Sequence, residues 1–164
     1  RDTDHSERRA YFKDVADLIA VLMDSGMRLS EGLDLSYKDI DFESNLISIW
    51  INKGDRPRSV PMTKRARSIL SIRQAVNQVK PFNLKDHQAE TAWQWVRKEM
   101  GLEGDKEFVI HSATRHTCAS RLVNAGVDLY VVKDILGHAS IATTQIYAHL
   151  APHKLVDAMS VLED

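Results

Sequence analysis

The sequence predicts a mainly α-helical domain carrying one small antiparallel β-sheet, an α+β fold. Three observations carry that expectation. Apolar residues recur at helical spacing along most of the chain, the period turns strand-like between residues 46 and 62, and glycines and prolines punctuate the segments. A length of 164 residues suits one compact domain with a core of its own. At 43% hydrophobic and 27% charged residues, with no low-complexity tract, the composition excludes a disordered chain.

The elements follow in order. Val15, Leu18, Ile19, Leu22 and Met23 lie on one helical face, so residues 11–24 read as an amphipathic helix that stops at Gly26. A short helix follows from Ser30. "KDIDFES" reads as a short edge strand, and "NLISIWIN" and "RPRSVPM" read as a β-hairpin closed by the turn residues "KGD". From Thr63 the pattern is helical again, over 63–78, 86–100, 112–125, 128–137, 140–149 and a tail near 152–162. Trp93 and Trp95 face different sides of their helix, which puts at least one of them in the core.

Other classes are excluded early. The longest apolar run, Leu18 to Met23, is far too short to span a bilayer, and "RDTDHSERRAYF" has no signal-peptide pattern, so the expectation is a cytoplasmic protein with no membrane partner. The single cysteine, Cys118, rules out an internal disulfide and a multi-cysteine zinc site, and it reads as a small buried hydrophobe. Histidines at 149 and 153 have zinc-like spacing, but Pro152 between them argues against a metal helix.

Charge is informative through its distribution. The net charge is −1, yet residues 53–67 hold six bases (Lys53, Arg56, Arg58, Lys64, Arg65, Arg67) against the single acid Asp55. Such a band on a neutral body fits phosphate contact, and Arg56, Arg58, Lys64 and Arg65 are its candidate DNA-binding residues.

In "LGHASIATTQIYAHL", His138 and Tyr147 stand nine residues apart. On one unbroken helix they would be turned about 900° from each other and face opposite sides. Gly137 as a helix stop and Ser140 as the N-cap of a new helix supply the break that lets them cooperate.

The order of Arg28 in "GMRLSE", Lys53 eight residues before Pro61, His111 and Arg115 in "HSATRHTCAS", His138 in "LGH" and Tyr147 closely resembles the tyrosine recombinases, the family of phage integrases and Xer-type recombinases. The resemblance covers nearly the whole chain and implies the catalytic-domain fold of that family. It departs in one place. The family reads His-x-x-Arg, whereas this chain has His111-Ser-Ala-Thr-Arg115, which puts Ser112 at the strict histidine position. Both spacings reach the face of Arg115 on a helix, and Ser112 has a competing task as N-cap, so His111 is the favoured catalytic partner.

The resemblance implies site-specific DNA recombination. Tyr147 would attack a phosphodiester to leave a 3′-phosphotyrosyl link and a free 5′-hydroxyl. Arg28 and Arg115 would neutralise the phosphate with rigid donor forks, and His138 would add a further donor. His111 would take the phenolic proton and Lys53 would protonate the leaving oxygen. Glu31 would orient a neighbouring group. The covalent link keeps the bond energy, so no cofactor, ATP or metal is called for. Double-stranded DNA in a bacterial host cytoplasm is the expected partner, bound by four subunits that exchange C-terminal segments, with a monomer in the absence of DNA. The apolar stripe Leu155, Ala158, Met159 and Leu162 suits that exchange and suits packing on its own domain equally well. Residues 1–10 would be a linker remnant and 11–164 the catalytic domain, without the family's N-terminal core-binding domain. A type IB topoisomerase and a non-catalytic DNA-binding regulator on the same fold are the alternatives.

Overall fold

The computed structural model describes residues 2–50 and 57–152. The turn "KGD" with Lys53, the candidate Arg56, and the tail from His153 onward with its apolar stripe lie outside them.

The chain opens with α1, Asp2–Ser25, a continuous helix. It takes in nearly all of the stretch expected as a linker remnant. No glycine or proline occurs before Gly26, so nothing interrupts the helix, and Arg8 lies over the Phe12 ring one turn on, 5.8 Å from its centroid. Gly26 ends α1 with φ +66, and a Cβ there would stand 2.8 Å from Leu136 Cδ2, so only glycine suits both the turn and the contact.

After α2 (Leu29–Asp34) and a 3-10 turn (Tyr37–Asp39), the strands β1 (Ile40–Asp41), β2 (Leu46–Ile49) and β3 (Arg58–Pro61) form an antiparallel sheet in that order. Ile47 stands opposite Val60 and Ile49 opposite Arg58. Ile40, Ile47, Ile49 and Val60 point into the core, and strand alternation aims Arg58 the same way as Val60.

Helix α3 (Lys64–Gln74) starts at Thr63, whose Oγ1 accepts from the Ala66 N–H. It stops short of the expected residue 78. Asn77 Oδ1 captures the N–H groups of Val79 and Lys80, an asparagine turn that competes with continued helix. In α4 (Asp86–Glu99), Trp93 is buried and donates to the Phe108 carbonyl at 3.0 Å, while Trp95 is exposed.

The next helix holds the main departure from expectation. Ser112–His116 form a π-helical turn that runs into α5 (Thr117–Asn124), and His111 before it already has helical dihedrals. Ser112 is therefore inside the helix and does not cap it; the Ala113 N–H bonds to the Val109 carbonyl. A π-turn is one residue wider than an α-turn, which matches the one extra residue between His111 and Arg115.

Helix α6 (Leu129–Leu136) begins at Asp128 and ends at Gly137, which is left-handed at φ +73. Ser140 caps α7 (Ile141–Thr144), and the chain then tightens into a 3-10 helix, Gln145–Leu150, where one α-helix over 140–149 was expected. The break between His138 and Tyr147 occurs where Gly137 and Ser140 predict it.

Two hydrophobic clusters result. The larger joins α1, the sheet, α3 and α4, with Leu18, Leu22, Ile47, Leu70 and Phe82 at its centre. The smaller joins Ala119, Val123, Val132, Leu136 and Tyr147. Cys118 is buried, as the sequence suggests.

Candidate active site

Arg115 sits between the two clusters. Its side chain donates to the Gly26 carbonyl and to the Leu136 carbonyl, each at 2.7 Å, so it ties the end of α1 to the end of α6. Both acceptors belong to helix C-terminal regions, where orphan carbonyls favour a cation. At 2% exposure the guanidinium is nearly out of solvent. Burial, then repulsion from Arg28 and Arg58, brings its pKa down to about 10, so it stays charged at neutral pH.

Glu31 is the anion of the site. Its carboxylate accepts from the Arg28 backbone N–H at 2.8 Å and takes a two-pronged contact from Arg58 at 2.8 and 3.1 Å. The Arg28 guanidinium is 3.8 Å away. Burial pushes the Glu31 carboxyl up, but the Arg58 hydrogen bonds, the Arg28 N–H and the neighbouring charges outweigh it and hold the carboxyl below its usual range. Three guanidiniums, those of Arg28, Arg58 and Arg115, thus surround one carboxylate. The surplus positive charge in a sheltered site is a demand for an anion.

Arg58 corrects the sequence reading. It was expected on the DNA-contacting surface, but its side chain is 6% exposed and turned inward, where it also donates from Nε to the Ile135 carbonyl at 2.8 Å. It lies so close to Gly137 that a Cβ there would stand 2.8 Å from its Cδ. The arginine therefore clamps β3, α2 and the end of α6 together. Of the other candidates in the band, Lys64 is exposed at the start of α3, and Arg65 is exposed but paired with Asp24 at 2.6 Å.

His138 is buried just past Gly137, its Nδ1 2.8 Å from Thr144 Oγ1. Burial first, then the charges of Arg115, Arg28 and Arg58, lowers its pKa to about 4. The imidazole is neutral at pH 7; in the tautomer whose Nδ1 accepts from the Thr144 hydroxyl, the ring proton is on Nε2 and available to donate.

Tyr147 is 6% exposed, its ring in the smaller cluster. Its hydroxyl lies 2.5 Å from Nδ1 of His116. Burial raises its pKa, while the positive charge of Arg115 works the other way. His111, the favoured partner from sequence, is one ring further out. It meets His116 edge to face, centroids 4.9 Å apart, and burial followed by the charge of His116 lowers its pKa. His116 and Thr144 were not among the candidate site residues read from the sequence. Neither stands in a recognisable pattern with its partner, because the fold alone brings Gln145–Leu150 back against α5 and sets Tyr147 on His116.

Among the described residues, no group of three or more His, Cys, Asp or Glu side chains is placed to hold a metal ion, and no helix is long and apolar enough to cross a membrane.

A family model described as the phage integrase family matches residues 4–154. A tyrosine recombinase of Thermosipho africanus is 31% identical over 148 residues, covering 88% of this chain and 52% of its own length. The tyrosine recombinase XerD of Neisseria meningitidis serogroup B is 32% identical over 148 residues, 82% of this chain and 50% of its own. The chain thus spans about half the length of these curated relatives. Among solved structures, the catalytic domain of bacteriophage HP1 integrase superposes with a TM-score of 0.70 at 25% identity, over 93% of this chain and 90% of that one. XerH recombinase bound to its difH substrate gives 0.68 at 25% identity, over 94% and 52%. With a match that spans nearly the whole sequence and a fold shared with integrase catalytic domains, the chain belongs to the phage integrase family of tyrosine recombinases.

Proposed function

We propose that this chain is the strand-cleaving and strand-joining part of a site-specific DNA recombinase, with Tyr147 as the nucleophile. The observation that carries the reading is the burial of a tyrosine hydroxyl against an imidazole, beside a cluster of three guanidiniums around one carboxylate. A phosphodiester is anionic and repels nucleophiles, so a site with surplus fixed positive charge fits it.

The roles follow from the chemistry of each group. Arg28 and Arg115 hold the non-bridging oxygens, and neutral His138 donates from Nε2 to the same phosphate. Tyr147 Oη attacks phosphorus, the bond to the 5′-oxygen breaks, and Lys53 gives that oxygen its proton. The product is a 3′-phosphotyrosine and a free 5′-hydroxyl. Reversal on a second end joins new strands with neither metal nor ATP. Glu31 and Arg58 hold the arginines and the Gly137 turn in place. Double-stranded DNA is the partner, and XerH, a relative in fold, was crystallised with its DNA substrate. Four subunits exchanging C-terminal segments on two duplexes, in a host cytoplasm, complete the reading.

A suicide duplex, nicked so that the cleaved end diffuses away, tests it. The chain should form a covalent adduct on a denaturing gel that Tyr147→Phe abolishes while still binding DNA. DNA binding without adduct from the unaltered protein would favour a non-catalytic regulator.

A further inference from the structure

We infer that His116 takes the phenolic proton of Tyr147 during cleavage and returns it during rejoining. The inference rests on the reading of Tyr147 as nucleophile and assigns the base that reading leaves open.

Geometry selects His116 among its neighbours. Its Nδ1 is 2.5 Å from Tyr147 Oη. Arg115 has no acceptor to offer. His138 has its Nδ1 engaged with Thr144. His111 touches His116, and the hydroxyl of Tyr147 is directed to the nearer ring. The π-turn explains the edge-to-face contact. In a regular α-helix, residues five apart are turned about 500°, so the rings of residues 111 and 116 would splay by about 140°. A turn that closes from i to i+5 brings them one above the other. The extra residue of the His111-x-x-x-Arg115 spacing thus leaves both imidazoles on the side of the nucleophile.

The proton balance is complete within named groups. As the Oη–P bond forms and the P–O5′ bond breaks, the Oη proton passes to His116 Nδ1, giving an imidazolium, and the leaving oxygen takes a proton from Lys53. On rejoining, a 5′-hydroxyl attacks and returns a proton to Lys53. Tyr147 leaves and recovers its proton from His116. The titratable and charged groups that face this exchange are His111, Arg115, Cys118 and, from the start of α2, Arg28.

The test is single-turnover cleavage of the suicide duplex across pH, with an ordinary phosphodiester and with a 5′-bridging phosphorothiolate whose sulfur leaves without a proton. His116→Asn places an amide oxygen near the Nδ1 position, so it can accept the hydrogen bond but cannot carry the proton. It should stay folded and bind DNA, yet cleave both substrates about 10²-fold or more slowly, with the low-pH limb of the rate profile gone. His111→Gln should lower the rate and keep the limb. Cleavage by His116→Asn at the unaltered rate, or loss of the limb in His111→Gln alone, overturns the inference. If His116→Asn does not fold, 3-fluorotyrosine at position 147 decides together with His111→Gln. A limb that stays in place with both substitutions supports His116, and one that follows the phenol's acidity excludes an imidazole base. Adduct from Tyr147→Phe would bring down the nucleophile reading itself.

Discussion

A single imidazole sets a pH dependence that can be measured on the free protein. Burial and the arginine charges hold the pKa of His138 at about 4 in the fold, against about 6.5 in an unfolded chain. Below pH 6.5 the unfolded state takes up a proton that the folded state refuses, so stability falls as pH falls. The loss is complete near pH 4, where the folded imidazole titrates as well. His111, also depressed, adds in the same direction. The full loss attributable to His138 is at most about 3 kcal/mol. Calorimetry should therefore show the thermal midpoint falling more steeply between pH 6.5 and 4 in the unaltered protein than in His138→Gln. Parallel curves would mean that the fold does not hold this imidazole neutral. Glu31 acts at lower pH. Its carboxyl is depressed, so its contribution is present above the unfolded carboxylate pKa and disappears as pH falls through the folded one.

At the scale of elements, the wide turn at Ser112–His116 is an insertion absorbed without loss of register, and that has a consequence for deletion. Removing Ser112 should convert the turn to regular α-helix while Ile110 stays in the core and the two histidine rings, then four residues apart, stay on one face. The thermal midpoint should rise by about 2–4 °C for each kcal/mol recovered, with roughly one kcal/mol expected. A fall would show that packing requires the wide turn. This turn also marks where sequence reading reaches its limit. The break at Gly137 and Ser140 was legible, because a helix-stop glycine and a serine N-cap each have a local signature in residue type and spacing, whereas Arg28, His138 and Tyr147 were read as site residues only through the family resemblance. A π-turn has no local signature, so the odd spacing read as a choice between His111 and Ser112. The hydrogen bond from Tyr147 to His116 joins segments 31 residues apart and depends on how the 3-10 helix folds back, which no periodicity reports. Arg58 differs, because a signal for it was present. It stands two residues before Val60 on a strand, and the buried valine fixes the face on which the arginine lies.

For the whole molecule, the question is how much of the basic band can meet DNA. Counting charges over residues 53–67 gives six bases, but the fold uses several of them internally. Arg58 is locked onto Glu31, Arg65 pairs with Asp24, and Arg67 donates to the Phe42 carbonyl and lies over the Phe42 ring. Lys64 is exposed. Affinity for duplex DNA falls with salt by a slope of about 0.9 for each phosphate neutralised, so the slope counts contacts rather than charges in the sequence. Lys64→Gln should therefore lower the slope by about one and leave the thermal midpoint unchanged. Arg58→Gln should do the opposite. It strands a buried carboxylate that is 1% exposed, so it should cost about 3–5 kcal/mol of stability with little change of slope. Binding isotherms at several salt concentrations, beside thermal melts of the same proteins, separate the two behaviours. If Arg58→Gln lowered the slope by about one and left the midpoint in place, the arginine would have to swing out to the DNA, and the clamp on Glu31 would be a resting arrangement exchanged for phosphate on binding.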